Sequence, residues 1–339
     1  MLNKRKYIDL AKGLIIAGVC MAAGPIQSIA AERVVAYTSS PESRADIIID
    51  TRSAPLCEAA SLPKARCLPA LDFFGPHKRL ANFSGVLWLL GTAGLTGDEH
   101  VLVIGNNSTD KEAVAGLLLI AGQRKITILI PALGALKDIV LSSGETRSKS
   151  REQIYQATMR AERIVLRDDM IKLLGTANSP VIFDGRTENE YWGQSMRAQR
   201  GGHLPGAQHR PVSLSEIDTP DAFSSPPNSQ QLPVSYAHNS YEGLIYLTRL
   251  QASGMASRIY LEGWSGWASD GALPADSLTL PDRMLKPRTN KAAASKQAPG
   301  KYAWPGKWSW IEYSGFGLGA IALAMGGFFV GRTTIATRG

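Results

Sequence analysis

Cysteine and histidine are scarce in this chain, which has only three cysteines and five histidines among 339 residues. No histidine is spaced from cysteines or carboxylates in a way that is typical of a metal site. We therefore predict no metal ion and no other cofactor. Because no cysteine follows Cys67, the later part of the chain has no thiol that could act as a nucleophile.

The middle of the chain lacks a net positive charge, although the net charge of the whole chain is +8. Residues 1–12 carry +3, residues 283–307 carry +7 and residues 308–339 carry +1, which leaves −3 for residues 13–282. Binding to nucleic acid is therefore not expected. Basic segments at the ends of a chain are typical of contact with anionic lipid or with an acidic partner.

The first 30 residues have the three parts of a secretory signal peptide. Lys4-Arg5-Lys6 is the charged part, residues 14–23 are apolar, and Ser28-Ile29-Ala30 offers small residues for cleavage. An uncleaved N-terminal anchor helix is the alternative. Cys20 does not indicate a lipid anchor, because Val19 precedes it where a small residue is expected.

The C-terminal region contains an uncharged run at residues 313–331, which as a helix would span roughly 28 Å, close to the hydrocarbon thickness of a bilayer. Aromatic side chains typical of a membrane interface precede the run: Trp304, Trp308, Trp310 and Tyr313. We predict a transmembrane helix over residues 308–332, with a buried helix of a soluble protein as the alternative. With the signal peptide, this predicts a single-pass protein of the inner membrane whose domains are periplasmic.

The apolar run is rich in glycine. Gly315 and Gly319 are four residues apart, as are Gly327 and Gly331. This spacing lets membrane helices approach closely, so it favours a membrane-protein partner.

The same order of predicted elements occurs twice between the two ends. Each copy has a buried strand ending in Asp-x-Arg, a second strand, a helix and a last strand: residues 46–52, 100–105, 113–121 and 126–130, and then residues 180–186, 232–237, 243–253 and 258–261. Continuous short apolar runs are typical of parallel strands that are buried on both faces. The repeat therefore predicts a duplicated α/β domain with central parallel sheets.

The predicted domains follow from this repeat. We place the first at residues 33–144 and the second at residues 166–276. The charged stretch 145–165 is predicted to be a linker helix. Residues 277–307 lack apolar periodicity and are predicted to form a basic flexible tether.

The second copy resembles the rhodanese family, specifically the two-domain thiosulfate sulfurtransferases. Asp184 and Arg186 lie in its Asp-x-Arg segment, and residues 202–207 are similar to the family's Gly-His-Ile-Pro-Gly-Ala, with His203, Pro205 and Gly206. Residues 260–267 look like the family's closing motif, including Trp264 and Trp267. The first copy keeps Asp50-Thr51-Arg52 but shows no clear His-x-Pro-Gly-Ala.

The chain departs from the family at the catalytic loop. The family has a cysteine after the fourth strand, where this chain has Ala237, and Gly105 takes the corresponding place in the first domain. Ser240 replaces the glycine of the loop and Glu242 replaces its arginine. The whole degenerate loop is Ala237, His238, Asn239, Ser240, Tyr241 and Glu242. Sulfur transfer needs a thiolate that can hold a persulfide, so both domains are expected to lack catalytic activity.

Cys57 and Cys67 are the cysteines that would remain after export. An oxidising compartment favours a disulfide between them, with a redox or metal role as the alternative. We expect His203 to have a structural role and His238 to be exposed to solvent.

We therefore expect a catalytically inactive binding or accessory subunit of a membrane complex. Two alternatives remain open: a sulfurtransferase that uses Cys57 or Cys67, and a module that binds small sulfur anions around Ala237.

Overall fold

The computed structural model describes residues 34–42, 44–137, 139–213 and 231–276. The predicted signal peptide, tether and transmembrane helix lie outside these residues. Among the helices that the structure does describe, none combines the length and the apolar character needed to cross a bilayer.

The first half of the structure is built on a parallel sheet of six strands. They are β1 (Val35–Thr38), β2 (Ile47–Asp50), β3 (Ala65–Cys67), β4 (His100–Ile104), β5 (Lys125–Leu129) and β6 (Glu145–Thr146), in the order β1-β5-β4-β2-β3-β6. The central strand β4 is apolar and buried from Val101 onwards, as expected for a strand covered on both faces.

The second half has a parallel sheet of five strands. They are β7 (Ile164–Val165), β8 (Ile182–Asp184), β9 (Gln208–His209), β10 (Val234–Tyr236) and β11 (Arg258–Tyr260), in the order β7-β11-β10-β8-β9. This order repeats that of β1 to β5, which confirms the predicted duplication. The strand β6 has no counterpart among the described residues of the second half.

Helices cover both sheets. In the first half they are α1 (Ala54–Ala59), α2 (Phe83–Thr92) and α3 (Ser108–Ala121), and in the second α4 (Arg167–Leu174), α5 (Glu188–Tyr191), α6 (Ser240–Ala252) and α7 (Gly263–Ala268). The predicted helices at residues 113–121 and 243–253 are confirmed as α3 and α6. Both begin earlier than predicted, because Asn107 and Asn239 cap their first turns.

The predicted linker helix over residues 145–165 is wrong. The range contains β6, a short 3-10 helix at Ala161–Arg163 and β7, and the remainder has no regular structure. Its backbone is bonded to the first half instead: the amide of Ala157 donates to the Thr96 carbonyl at 3.1 Å, and that of Arg160 to the Ile120 carbonyl at 2.8 Å. These contacts outweigh the helix propensity of the segment, so both sheets extend beyond the predicted domain boundaries.

The two halves meet through α3 and α6, whose apolar side chains belong to one hydrophobic cluster. Gly116 of α3 allows the close approach, since a Cβ atom there would lie 2.5 Å from the Leu244 carbonyl oxygen of α6. A buried ion pair joins the same helices, with Arg249 Nη2 2.8 Å from Glu112 Oε2. The Tyr37 hydroxyl donates to the other oxygen of Glu112 at 3.0 Å.

Candidate functional site

The carboxyl ends of β2 and β8 carry matching buried ion pairs. Arg52 Nη2 lies 2.6 Å from Asp50 Oδ2, and Arg186 Nη2 lies 2.6 Å from Asp184 Oδ2. Burial alone would lower the pKa of Arg186, but the hydrogen bond and charge of Asp184 outweigh it and raise the pKa. Because Arg52 also donates to the Ala60 carbonyl and Arg186 to the Gly202 carbonyl, the two pairs fix the loops that follow the strands.

Each aspartate of these pairs also accepts a hydrogen bond from a hydroxyl group. The Tyr236 hydroxyl donates to Asp184 at 2.5 Å, and the Ser61 hydroxyl donates to Asp50 at 2.7 Å. Burial holds the pKa of Tyr236 well above its ordinary value. Tyr236 is therefore a neutral donor that supports the ion pair.

The first half contains a divergent form of the His-x-Pro-Gly-Ala motif, which was not predicted from the sequence. It reads Ser61-Leu62-Pro63-Lys64-Ala65 and leads into β3, as residues 203–207 lead into β9. Lys64 and Gly206 both have left-handed backbone, with φ of 63° and 70°. The available signal was Leu-Pro-x-Ala directly before a strand, and it was obscured because serine replaces histidine and lysine replaces glycine.

His203 has a structural position. Its Nδ1 lies 2.9 Å from the Tyr191 carbonyl oxygen, and its ring stacks on that of Tyr191 with centroids 3.7 Å apart. Burial lowers the pKa of His203, partly offset by the Tyr191 carbonyl. Beside it, Pro205 lies in the turn that Gly206 completes, where the Gly206 amide donates to Asp276 at 3.0 Å.

Both motif tryptophans are buried and bonded. Trp264 donates from its indole nitrogen to the Arg200 carbonyl at 3.1 Å, and the Arg186 guanidinium lies 4.8 Å from the centre of its ring. Trp267 donates to the Pro274 carbonyl at 2.7 Å. The motif residues of the second half thus form a scaffold around the loop at Ala237.

Ala237 is covered by the start of α7. Its carbonyl accepts from the Trp264 amide at 2.9 Å, and the His238 carbonyl accepts from the Ser265 amide at 2.8 Å. Gly263 adopts a φ of 61° so closely against the loop that a Cβ atom there would lie 2.6 Å from the Ala237 oxygen. Ala237 itself is 3% exposed, so solvent hardly reaches this position.

Gly105 occupies the corresponding position in the first half. A Cβ atom there would lie 2.4 Å from Thr51 Oγ1. That hydroxyl donates to the Ile104 carbonyl at 3.0 Å and is fixed. The first copy of the catalytic loop is therefore filled by its own side chains.

The acidic end of the second loop is neutralised. Arg197 makes a bidentate contact with Glu242, at 2.7 and 2.8 Å, and also donates to Glu190 at 2.7 Å. Burial would raise the pKa of Glu190, but hydrogen bonds from Arg197 and Thr187 outweigh it and lower the pKa. Arg197 thus balances the negative charge of Glu242, and this role of Arg197 was not predicted from the sequence.

His238 is buried rather than solvated as expected, with 8% of its surface exposed. Its Nδ1 makes no hydrogen bond within the described part of the chain. Burial and the nearby charge of Arg197 lower its pKa, so the imidazole is neutral at physiological pH.

The Tyr241 side chain points toward the first half and does not fill the space around Ala237. Its hydroxyl donates to Asp110 at 2.6 Å and lies 3.1 Å from Thr109 Oγ1. The ring packs edge-on against Phe74 and lies under the Lys78 ammonium, 4.3 Å from the ring centre.

Two pockets open at the carboxyl ends of the strands, where parallel α/β sheets bind ligands. The second pocket, of about 510 Å³, lies beside the start of α6 and is lined by residues of both halves, among them Lys78, Arg167, Asn239 and Ser240. Ala237 does not line it. The position of the family's nucleophile is thus separated from this pocket.

The first pocket is larger, about 590 Å³, and one of its lining residues is Cys67. Cys67 forms a disulfide with Cys57, which is not a lining residue. Arg147 and Lys149, which follow the extra strand β6, line the same pocket. Gly144, just before β6, packs against both sulfur atoms, and its amide donates to the Cys57 carbonyl at 3.0 Å. The pocket therefore brings one cysteine of the disulfide, Cys67, together with cationic side chains.

Metal ligation has no support in the ranges that the structure covers. No three or more His, Cys, Asp or Glu side chains there are grouped so that they could hold a metal ion.

Comparisons with known proteins identify a fold and no family. No protein-family model and no curated protein matches the sequence. The structure is similar to a variant of EanB in complex with ergothioneine (TM-score 0.55, 14% identity, 70% of this chain and 66% of that one) and to YnjE (TM-score 0.55, 15% identity, 73% and 64%). It is equally similar to an EanB variant that carries a cysteine persulfide (TM-score 0.55, 16% identity, 70% and 66%).

The identification of the chain as a tandem member of the rhodanese family that has lost its catalytic cysteine is wrong. No family model supports membership, and the similar structures include an EanB variant that carries a persulfide on a cysteine. The chain spans slightly less than two thirds of the length of these structures. At 14–16% identity they show the fold, which is rhodanese-like in its two parallel α/β sheets.

Proposed function

We propose that the chain takes part in sulfur transfer at the first pocket, with Cys67 as the sulfur carrier and Cys57 as its resolving thiol. The observation that carries the proposal is the position of Cys67, which belongs to a disulfide and also borders a pocket of about 590 Å³. The rhodanese-like fold and the persulfide-bearing EanB structure support this activity over that of an inactive accessory subunit.

The surroundings of Cys67 suit a sulfur anion. Cys67 ends β3, at the edge of the sheet where α/β proteins bind their ligands. Lys149 lines the same pocket, and a cation favours the thiolate and persulfide forms of a nearby cysteine. Cys57 lies behind Cys67, away from the pocket lining, where it can reach the carrier but not an incoming donor.

The reaction starts from the dithiol form, which a protein or small-molecule dithiol generates by reducing the disulfide. The Cys67 thiolate attacks the outer sulfur of a donor R–S–SH, which gives Cys67–S–SH and R–S⁻. The Cys57 thiol then loses its proton. Its thiolate attacks the Cys67 sulfur of Cys67–S–SH, which reforms the disulfide and releases HS⁻. The donor is reduced, and the external dithiol supplies both electrons.

The test compares two variants that both lack the disulfide. The reduced full chain, Cys57→Ser and Cys67→Ser are treated with a persulfide or with thiosulfate, and peptides are analysed by mass spectrometry. We expect Cys57→Ser to accumulate one extra sulfur atom on Cys67, and Cys67→Ser to carry none and to release no sulfide. Cys20→Ser is the matched control and should behave as the unchanged chain. If no donor adds sulfur to Cys67 in Cys57→Ser, the proposal is wrong.

We also propose that the chain is anchored in the inner membrane with its domains in the periplasm, next to a membrane-protein partner. The support is the signal-like segment 1–30, the apolar run within residues 308–332 and its paired glycines Gly315, Gly319, Gly327 and Gly331. Fractionation of cells that express the full chain or a chain ending at residue 285 tests this. Recovery of both in the soluble fraction would contradict the anchor, and loss of a crosslinked partner in Gly319→Leu would support the helix contact.

A further inference from the structure

The first pocket is much larger than a small sulfur oxyanion needs. Its volume of about 590 Å³ lies within the range of roughly 300–1,000 Å³ that is typical of sites for organic ligands. The lining includes the consecutive apolar residues Pro69, Ala70 and Leu71, which offer contact to a carbon skeleton. A donor with an organic body therefore fits better than thiosulfate.

The charges on the pocket lining are mixed. The lining carries three cationic and two anionic side chains: Arg52, Arg147, Lys149, Asp72 and Asp110. Arg52 is paired with Asp50, with Arg52 Nη2 2.6 Å from Asp50 Oδ2. Arg147 Nη2 lies 3.1 Å from Asp72 Oδ2, so these two largely balance each other. The lining therefore leaves one cation, Lys149, and one anion, Asp110, that can act on a ligand.

Lys149 and Asp110 can each bind a charged group of a ligand. Lys149 has no ion pair or hydrogen bond to the part of the chain that the structure describes. Asp110 accepts one hydrogen bond, from the Tyr241 hydroxyl at 2.6 Å, and a carboxylate can accept several. Its carboxylate lies in the first turn of α3, where it already satisfies the preference of a helix start for negative charge. A second, doubly charged anion is therefore disfavoured at this end of the pocket.

We propose that the sulfur donor of this site is the persulfide of a small thiol that carries both an amino and a carboxyl group, such as an amino acid or a short peptide. This inference rests on the proposed function. Lys149 binds the carboxylate of the donor, Asp110 accepts from its ammonium group, and the persulfide sulfur reaches Cys67. The donor leaves as its thiolate after the outer sulfur has been transferred.

The experiment measures the rate at which Cys67 of reduced Cys57→Ser gains sulfur from glutathione persulfide and from thiosulfate. We expect faster transfer from glutathione persulfide. A further change, Lys149→Ala, should raise its half-saturating concentration about fivefold, as expected for loss of one partly exposed ion pair. Lys137→Ala, an exposed lysine outside the pocket lining, is the matched control and should leave this concentration unchanged.

Binding is measured separately from chemistry. S-methylglutathione cannot exchange with a disulfide, so its binding to the oxidised full chain is followed by calorimetry and should weaken in Lys149→Ala. Transfer from thiosulfate that is as fast as from glutathione persulfide, or a half-saturating concentration that Lys149→Ala leaves unchanged, would overturn the inference while the carrier role of Cys67 stands. If neither donor adds sulfur to Cys67, the proposed function itself fails.

Discussion

Single residues close both copies of the loop in which the family has its nucleophile. Gly105 and Ala237 take the place of the nucleophile in the two halves, and both are enclosed by their own surroundings. Cys67 is also buried, at 1% exposed, but it lies at the end of β3 and lines the first pocket. The proposed chemistry therefore uses β3, which β2 separates from β4, the strand that precedes Gly105.

Gly105→Ala should lower the free energy of unfolding by about 1–3 kcal/mol, the usual cost of an overpacked core position. The reason is the 2.4 Å that would separate the new Cβ atom from Thr51 Oγ1. Gly134→Ala is the control, since the nearest atom there is 4.0 Å away. Urea unfolding of both variants measures the difference, and equal stabilities would show that the loop can open to accept a side chain.

His203 should make stability depend on pH. Burial lowers its pKa in the folded protein below the ordinary value of 6.5, so the unfolded chain binds more protons as the pH falls through about 6.5. The contribution of His203 to the free energy of unfolding is therefore complete above about pH 6.5 and is lost as the pH falls below that value. His203→Gln should flatten the slope of unfolding free energy between about pH 5 and 7. His238→Gln is the companion variant, because burial also lowers that pKa; an unchanged slope in His203→Gln would contradict the expectation.

At the scale of elements, the contact between α3 and α6 depends on one small residue. Gly116→Ala improves helix propensity by about 1 kcal/mol, yet it should destabilise the protein, because the Cβ atom would lie 2.5 Å from the Leu244 carbonyl oxygen. We expect a net loss of roughly 1–2 kcal/mol in thermal or urea unfolding.

Gly243→Ala on the facing helix is the matched control. Its new Cβ atom would meet only the end of the Ile259 side chain, at 3.2 Å, which can shift. A neutral or stabilising effect is expected there. A Gly116→Ala variant as stable as Gly243→Ala would mean that the helices can separate without cost.

The sequence was sufficient to predict the elements that bury continuous apolar runs. Strands such as His100–Ile104 and the helices α3 and α6 were found because burial on both faces leaves a pattern that needs no tertiary information. Residues 145–165 were mistaken for a helix, because their conformation is set by hydrogen bonds to distant carbonyls such as that of Thr96. A single sequence carries no local record of such contacts.

The candidate site was predictable only in part. The pairing of Cys57 with Cys67 could be reasoned from export and cysteine number, whereas the pocket at Cys67 could not. It depends on β6, which brings Arg147 and Lys149 beside β3 from about 80 residues further along the chain. The two-residue strand is too short to leave a periodic pattern.

At the scale of the whole molecule, the halves are held together by a charge pair as well as by apolar packing. Arg249→Ala should cost about 3–5 kcal/mol, because it leaves Glu112 as an uncompensated buried carboxylate. The Glu112 side chain is 1% exposed. Calorimetric unfolding measures the loss, and Lys172→Ala, at the exposed pair with Asp169, should change stability by less than about 0.5 kcal/mol.

The double variant Glu112→Gln, Arg249→Met separates the two causes. It removes both charges at similar volume, so it should recover most of the stability that Arg249→Ala loses. If it remains as unstable as Arg249→Ala, packing of the arginine stem rather than charge explains the effect.

The duplicated sheet allows the two halves to differ in what they hold. The half with the recognisable motifs encloses Ala237, whereas the other half holds the disulfide and the first pocket. Under the proposed function, motif resemblance and reactivity therefore lie in opposite halves. Engineering of this molecule would accordingly begin at the first pocket, since the loop around Ala237 has little room for a new side chain.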